Sequence, residues 1–163
     1  MKRRTVIMTL SSLPLLTLLS TRVVAQEGPA SGAVAKLDLD EAQWRKRLTP
    51  AQFEILRNEG TERPGSSPLL HEKRRGTYVC VACDHPLFSS DAKYDSRTGW
   101  PSFYDHLPNA VETRQDFRLI WPRTEYHCAR CGGHQGHVFN DGPPPTGLRY
   151  CNNGIALTFV PAE

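Results

Sequence analysis

Five cysteines fall into a group of four and one left over. Cys80-Val-Ala-Cys83 and Cys128-Ala-Arg-Cys131 are two C-x-x-C pairs. Each brings two thiolates to one side of a tight turn, and together they match the ligand set of a tetrahedral four-sulfur zinc site. Cys151 lies outside them, in the run Gly147-Leu148-Arg149-Tyr150-Cys151-Asn152-Asn153. With Arg149 two residues before it, and His134 and His137 upstream, it is a candidate nucleophile. An ordinary thiol has a pKa near ~8.5, and lowering it by ~2 units takes roughly 2.7 kcal/mol. In a strand Arg149, Cys151 and Asn153 share one face, so a cation, a thiol and an amide stand together.

The two pairs are separated by residues 84–127, a longer gap than a compact zinc ribbon uses. The expected site therefore clamps two distant hairpins. With four protein ligands it has no open position and serves the fold, not the activation of water. An exported chain with five cysteines also admits two disulfides and one free thiol. Sulfurs so close in sequence favour a metal instead. His85 and His127 flank the pairs and are left outside the site.

The first residues have the pattern of a targeting segment. Lys2, Arg3 and Arg4 precede a mostly apolar run from Thr5 to Leu19, and Val23-Val24-Ala25 offers a cleavage point. Residues 1–25 are thus expected to be a signal peptide, residues 26–40 a flexible linker and residues 41–162 one domain. The localisation this implies is export, to a bacterial periplasm, by the general route or the twin-arginine route. The segment holds Lys2, Arg3, Arg4 and Arg22 and no acid; its removal leaves 16 basic against 17 acidic residues. The basic balance belongs to the signal, and no electrostatic case for nucleic acid remains.

The elements that must position these residues are mostly short strands. Trp44, Leu48, Phe53, Ile55 and Leu56 have helical spacing over two short stretches, with Thr49 as N-cap, Pro50 in the first turn and Gly60 as the stop. Residues 77–81, 117–121, 125–128 and 155–160 read as strands separated by turn-forming clusters. Pro143-Pro144-Pro145 is a stiff loop. The fold class is mainly β and antiparallel, with helices near the N-terminus.

Several strings together carry a specific resemblance. They are Thr61-Glu62-Arg63-Pro64, Lys93-Tyr94-Asp95-Ser96, Gly99-Trp100-Pro101-Ser102-Phe103, Gly136-His137-Val138-Phe139 and Arg149-Tyr150-Cys151, in this order with the paired C-x-x-C knuckles. Over roughly residues 42–160 the chain resembles the methionine-R-sulfoxide reductases of the B type. That resemblance implies two antiparallel β-sheets with peripheral helices in a single domain. It implies Cys151 as nucleophile, Cys80, Cys83, Cys128 and Cys131 as ligands of a structural zinc, and Trp100 as the wall receiving the substrate methyl group. His134, His137, Arg149 and Asn153 become the polar groups that position the sulfoxide and activate the thiol, His137 being the first choice of acid. The implied substrates are oxidised proteins carrying methionine-R-sulfoxide, reduced through a cysteine sulfenic acid.

The chain departs from that pattern at Thr98, where many members have a second cysteine. No resolving thiol is then left, and a thioredoxin-like protein or another external thiol is expected to regenerate Cys151. Gln135, Asn152, Gly154 and Ile155 are smaller departures. Two rivals explain less of the ordered motif set: a zinc-ribbon binding module without chemistry, and a thiol peroxidase acting at Cys151. A monomer is the default oligomeric state.

Overall fold

The computed structural model describes residues 33–118 and 121–163. The expected signal peptide, the linker up to residue 32 and residues 119–120 lie outside the described residues. The chain is tied down ahead of the expected boundary at 41: the Leu37 amide donates to the Arg130 carbonyl at 2.7 Å, and Leu37 and Leu39 pack against the core. Two short helices follow, α1 (Glu41–Arg47) and α2 (Pro50–Asn58). Both begin in capping boxes, Asp40 with Gln43 and Thr49 with Gln52, which satisfy otherwise orphaned amides. The stop of α2 differs from the expectation. Glu59 adopts the left-handed conformation (φ 57°), its carboxylate held by Arg114 and Arg118. Gly60 serves close approach instead, since a Cβ there would stand 3.0 Å from the Glu54 carbonyl oxygen.

Among the described residues nine strands follow: β1 (Gly76–Cys80), β2 (Pro86–Ser89), β3 (Lys93–Tyr94), β4 (Ser102–Phe103), β5 (Val111–Asp116), β6 (Arg123–Cys128), β7 (His134–Phe139), β8 (Arg149–Asn152) and β9 (Leu157–Pro161). They form two antiparallel sheets, ordered β2-β1-β9 and β3-β4-β8-β7-β6-β5. The mainly β, two-sheet architecture is the one expected. Aromatic rings from both sheets make the core between them. Phe88 of β2 stacks on Phe103 of β4 at 4.2 Å, and Tyr126 of β6 meets Tyr150 of β8 edge-on at 5.2 Å.

Two expected strands are corrected. Residues 117–118 and 121 are not strand: β5 ends at Asp116, whose carboxylate accepts the Arg118 amide at 2.9 Å and turns the chain. Residues 119–120 of that expectation lie outside the described residues. The last expected strand begins late, at Leu157, because the Glu62 carboxylate accepts the amides of Gly154 (2.5 Å) and Ile155 (3.1 Å) and winds a 3-10 turn there. The triple-proline segment lies in the β7–β8 connection, as expected.

Candidate active site and cysteine cluster

The four paired cysteines meet where the two sheets meet. Cys80 ends β1 and Cys83 follows in the next turn; Cys128 ends β6 and Cys131 follows likewise. The residues after each pair, Asp84 (φ 59°) and Gly132 (φ 66°), take left-handed conformations that close the turns. The four sulfurs lie within 4.8 Å of one another and are buried. Their separations across the pairs, 3.7 Å for Cys80–Cys131 and 3.6 Å for Cys83–Cys128, can be tested against an ion. A tetrahedron with metal–sulfur bonds of about 2.3 Å has sulfur–sulfur edges of about 3.8 Å. The cluster fits, and it is compatible with a structural metal site joining one knuckle from each sheet.

Cys151 lies on the opposite side of the six-stranded sheet from this core. Alternation along β8 sends Tyr150 inward and Arg149 and Cys151 outward. Cys151 pairs in register with His137 of β7 on one side and Ser102 of β4 on the other. Gly136 permits that closeness, because a Cβ there would stand 1.9 Å from the Cys151 carbonyl oxygen. The thiol opens into a cavity of about 310 Å³ lined by Thr61, Thr98, Trp100, Arg123, Gly136, His137, Phe139, Arg149, Cys151, Asn152 and Asn153. Five of the six expected substrate-handling residues thus share one cavity: Trp100, His137, Arg149, Cys151 and Asn153. His134 does not line it.

The electrostatics at the thiol set burial against charge. Burial pushes the Cys151 thiol up, against the opposing pull of the Arg149 guanidinium and a hydrogen bond from Thr98. Arg149 is itself engaged, donating from Nε and Nη2 to the two oxygens of Asp141 at 2.8 Å each. Its guanidinium also stacks 4.3 Å above the Phe139 ring. His137 bonds Asp116 through Nε2 at 2.8 Å, and Arg123 holds the same carboxylate oxygen at 2.6 Å. Hydrogen bonds from the Arg118 amide, His137 and Arg123 keep Asp116 well below the usual carboxylate range despite burial. An ionised carboxylate only accepts, so Nε2 of His137 carries the proton and Nδ1 is the acceptor of the neutral ring. Burial pushes the imidazole below its ordinary value, while Asp116 pulls the other way.

His134 occupies a layer behind. Two histidines three apart on a regular strand face opposite ways. Here Gln135 is an extra residue in β7, since Tyr126 opposes Gly136 and His127 opposes His134. The bulge turns His134 toward His137, with ring centroids 5.5 Å apart. His134 is buried and bonds the Glu125 carboxylate through Nδ1 at 2.7 Å. The bulged Gln135 points into the core, where its amide donates to Cys80 Sγ at 3.4 Å and accepts from Asn152 at 3.4 Å. Asn152 in turn accepts from the Tyr126 hydroxyl at 2.8 Å. A buried polar chain therefore links the cysteine cluster to the residue after the thiol.

Sequence reasoning missed Glu62. Its carboxylate caps the turn after β8, its amide donates to Asn153 Oδ1 at 3.0 Å, and its carbonyl accepts Trp100 Nε1 at 3.1 Å. Asn153 donates its other amide end to the Gln135 carbonyl at 3.0 Å, so its side chain pins backbone at both ends. One residue thus ties the aromatic wall to the strand bearing the thiol. The only sequence signal was its place in the Thr61-Glu62-Arg63-Pro64 string. Asp116 was missed for the same reason: its partner stands far along the chain.

A sheet-to-sheet sulfur clamp with one separate thiol in an aromatic-walled cavity defines a class, a metal-clamped β domain built around a single thiol centre. Comparison with known proteins places it more narrowly. Residues 48–161 match the SelR domain. The chain is 52% identical over 127 residues to the peptide methionine sulfoxide reductase MsrB of Agrobacterium fabrum, covering 77% of this chain and 94% of that protein. It is 49% identical to the MsrB of Methanosarcina barkeri (78% and 90% covered) and 50% identical to that of Pseudomonas putida (78% and 97% covered). The chain belongs to the peptide methionine sulfoxide reductase B family, oxidoreductases acting on a sulfur group.

Proposed function

We propose that this protein reduces methionine-R-sulfoxide in polypeptides, using Cys151 as the only reacting sulfur. The observation that carries the reading is the cavity that unites Cys151, His137, Arg149 and Trp100. Trp100 offers an apolar face for the methyl group beside the sulfur, with a sulfur–ring attraction of ~0.3–1.5 kcal/mol. Burial raises the half-buried thiol above its ordinary value, so its activation awaits substrate. Neutral His137 takes the thiol proton at Nδ1, and Asp116 stabilises the resulting imidazolium through Nε2. The thiolate attacks the sulfoxide sulfur while the imidazolium returns the proton to the sulfoxide oxygen. Oxygen ends on Cys151 as a sulfenic acid and methionine leaves: the sulfoxide gains two electrons and the cysteine sulfur loses two.

Thr98 lines the cavity and stands where the family resemblance puts a resolving thiol, and the other four cysteines cluster with one another. Regeneration therefore uses an external dithiol protein of thioredoxin type or two small thiols, giving a disulfide and water and restoring Cys151. The metal is zinc, on the four-sulfur donor set, and it takes no part in the chemistry. His134 and Glu125 orient the neighbouring imidazole, and Asn153 positions the strand end. The basic start and apolar run of residues 1–25 support export to a periplasm with cleavage after Ala25. The enzyme acts as a monomer.

Single-turnover assays with each sulfoxide epimer in a peptide, with reduced protein and no added thiol, test the reaction. We expect consumption of the R epimer alone, with about one methionine formed per enzyme. Consumption of the S epimer, or of neither, would refute it.

A further inference from the structure

The turn between β5 and β6 carries an unexplained apolar surface. Among the described residues only three large apolar side chains are strongly exposed, and two of them, Phe117 (73%) and Trp121 (80%), lie on this turn. The fold does not need them there. Strand pairing closes at Asp116 opposite Arg123, before either aromatic, and neither packs into the core. An exposed Trp and Phe together are costly in water unless something covers them.

Their location says what that is. The closing pair of the hairpin belongs to the site: Asp116 holds His137, and Arg123 lines the cavity. Phe117 follows Asp116 directly and Trp121 lies two residues before Arg123, so the two aromatics adjoin the residues that hold His137 and line the cavity. The cavity, at about 310 Å³, takes a methionine sulfoxide side chain but not its chain neighbours. A polypeptide substrate must continue beyond the cavity in both directions. We propose that Phe117 and Trp121 form a docking surface for apolar residues flanking the oxidised methionine, and so favour apolar over polar flanking segments. This rests on the reaction proposed above and deepens it. Aromatic side chains offer large contact area at low entropic cost, which suits a site that must accept many sequences.

The test uses the double variant Phe117→Ser/Trp121→Ser of the otherwise intact protein in single turnover without reductant. Three substrates are compared: N-acetyl-methionine-R-sulfoxide, a peptide with the sulfoxide flanked by Leu and Phe, and one flanked by Gly and Ser. Wild type should prefer the apolar peptide over the Gly/Ser peptide by about tenfold, corresponding to ~1.4 kcal/mol. The variant should lose that preference through weaker binding, with the small substrate reduced at the wild-type rate and an unchanged melting temperature. A variant that keeps the preference overturns the proposal, as does one that loses activity equally on all three substrates. A variant normal in the first turnover but slow only when a dithiol protein must regenerate it would assign the surface to the reductant and overturn the proposal too. A wild-type protein inert toward all three substrates would instead remove the reaction itself.

Discussion

The molecule puts cysteine to two opposite uses on two sides of one sheet. At the junction of the sheets four buried sulfurs crowd within 4.8 Å, a spacing that suits a cation and locks two knuckles together. On the outer face one half-buried sulfur stands alone, flanked by His137 and Arg149 and open to a cavity. The side chain is the same; the number of neighbouring thiols and the access decide its use. Gln135 touches both regions, donating to Cys80 and bulging β7 so that His134 backs His137. Gln135 thereby ties the geometry of the cysteine cluster to that of the strand beside the thiol.

Paired substitutions should separate the two regions most sharply. Cys128→Ser, or chelation, is expected to unfold the domain or lower its melting temperature by on the order of 10 °C or more. Cys151→Ser should abolish sulfoxide reduction and leave melting and metal content unchanged. Calorimetry and metal analysis beside the activity assay check this, and a stable, active Cys128→Ser protein would break the comparison.

A smaller effect is expected from Asp116→Asn, which leaves the fold and weakens only the thiol centre. Asp116 opposes the burial that depresses His137, so its loss lowers the imidazole pKa further. The rate should fall roughly tenfold to a hundredfold, and the His137 titration followed by NMR should move to lower pH. Gly136→Ala tests the register between the regions. Its methyl group would press on the Cys151 carbonyl, costing about 1–3 kcal/mol in denaturant titrations and slowing turnover by displacing the thiol.

The smallest effect concerns ionisation alone. Thiolate grows as pH rises, and burial has raised the Cys151 thiol, so alkylation in the substrate-free enzyme should have its midpoint above that of an ordinary cysteine. Arg149→Met should move it higher still, since the guanidinium favours the thiolate. A midpoint below the ordinary value would mean that the arginine outweighs burial and that the resting nucleophile is already ionised.

Much of this organisation is legible in the sequence. C-x-x-C spacing, the Thr49-Pro50 start of α2 and the Arg149/Cys151 alternation are local patterns, and local geometry enforces them. What was not legible depends on partners distant in sequence. Nothing near Glu62 announces that it will cap the turn at Gly154 and hold Trp100. Nothing near His134 reveals the bulge that turns it, which is fixed by pairing with β6. Residues 117–121 have strand-like composition, yet the Asp116 side chain ends β5 first and leaves Phe117 and Trp121 in solvent. The balance of effects at Cys151 was not legible for a related reason. Arg149 is visible two residues away, whereas burial is a property of the assembled fold.

The central claim is that one cysteine reacts while four hold the fold. Its most direct test is mass spectrometry of the native and digested protein after one turnover without reductant. One added oxygen is expected on the Cys151 peptide, trapped as a sulfenic acid, with a single zinc still bound by the other four cysteines. Oxidation of any of those four, or a disulfide to Cys151 with the zinc released, would contradict it.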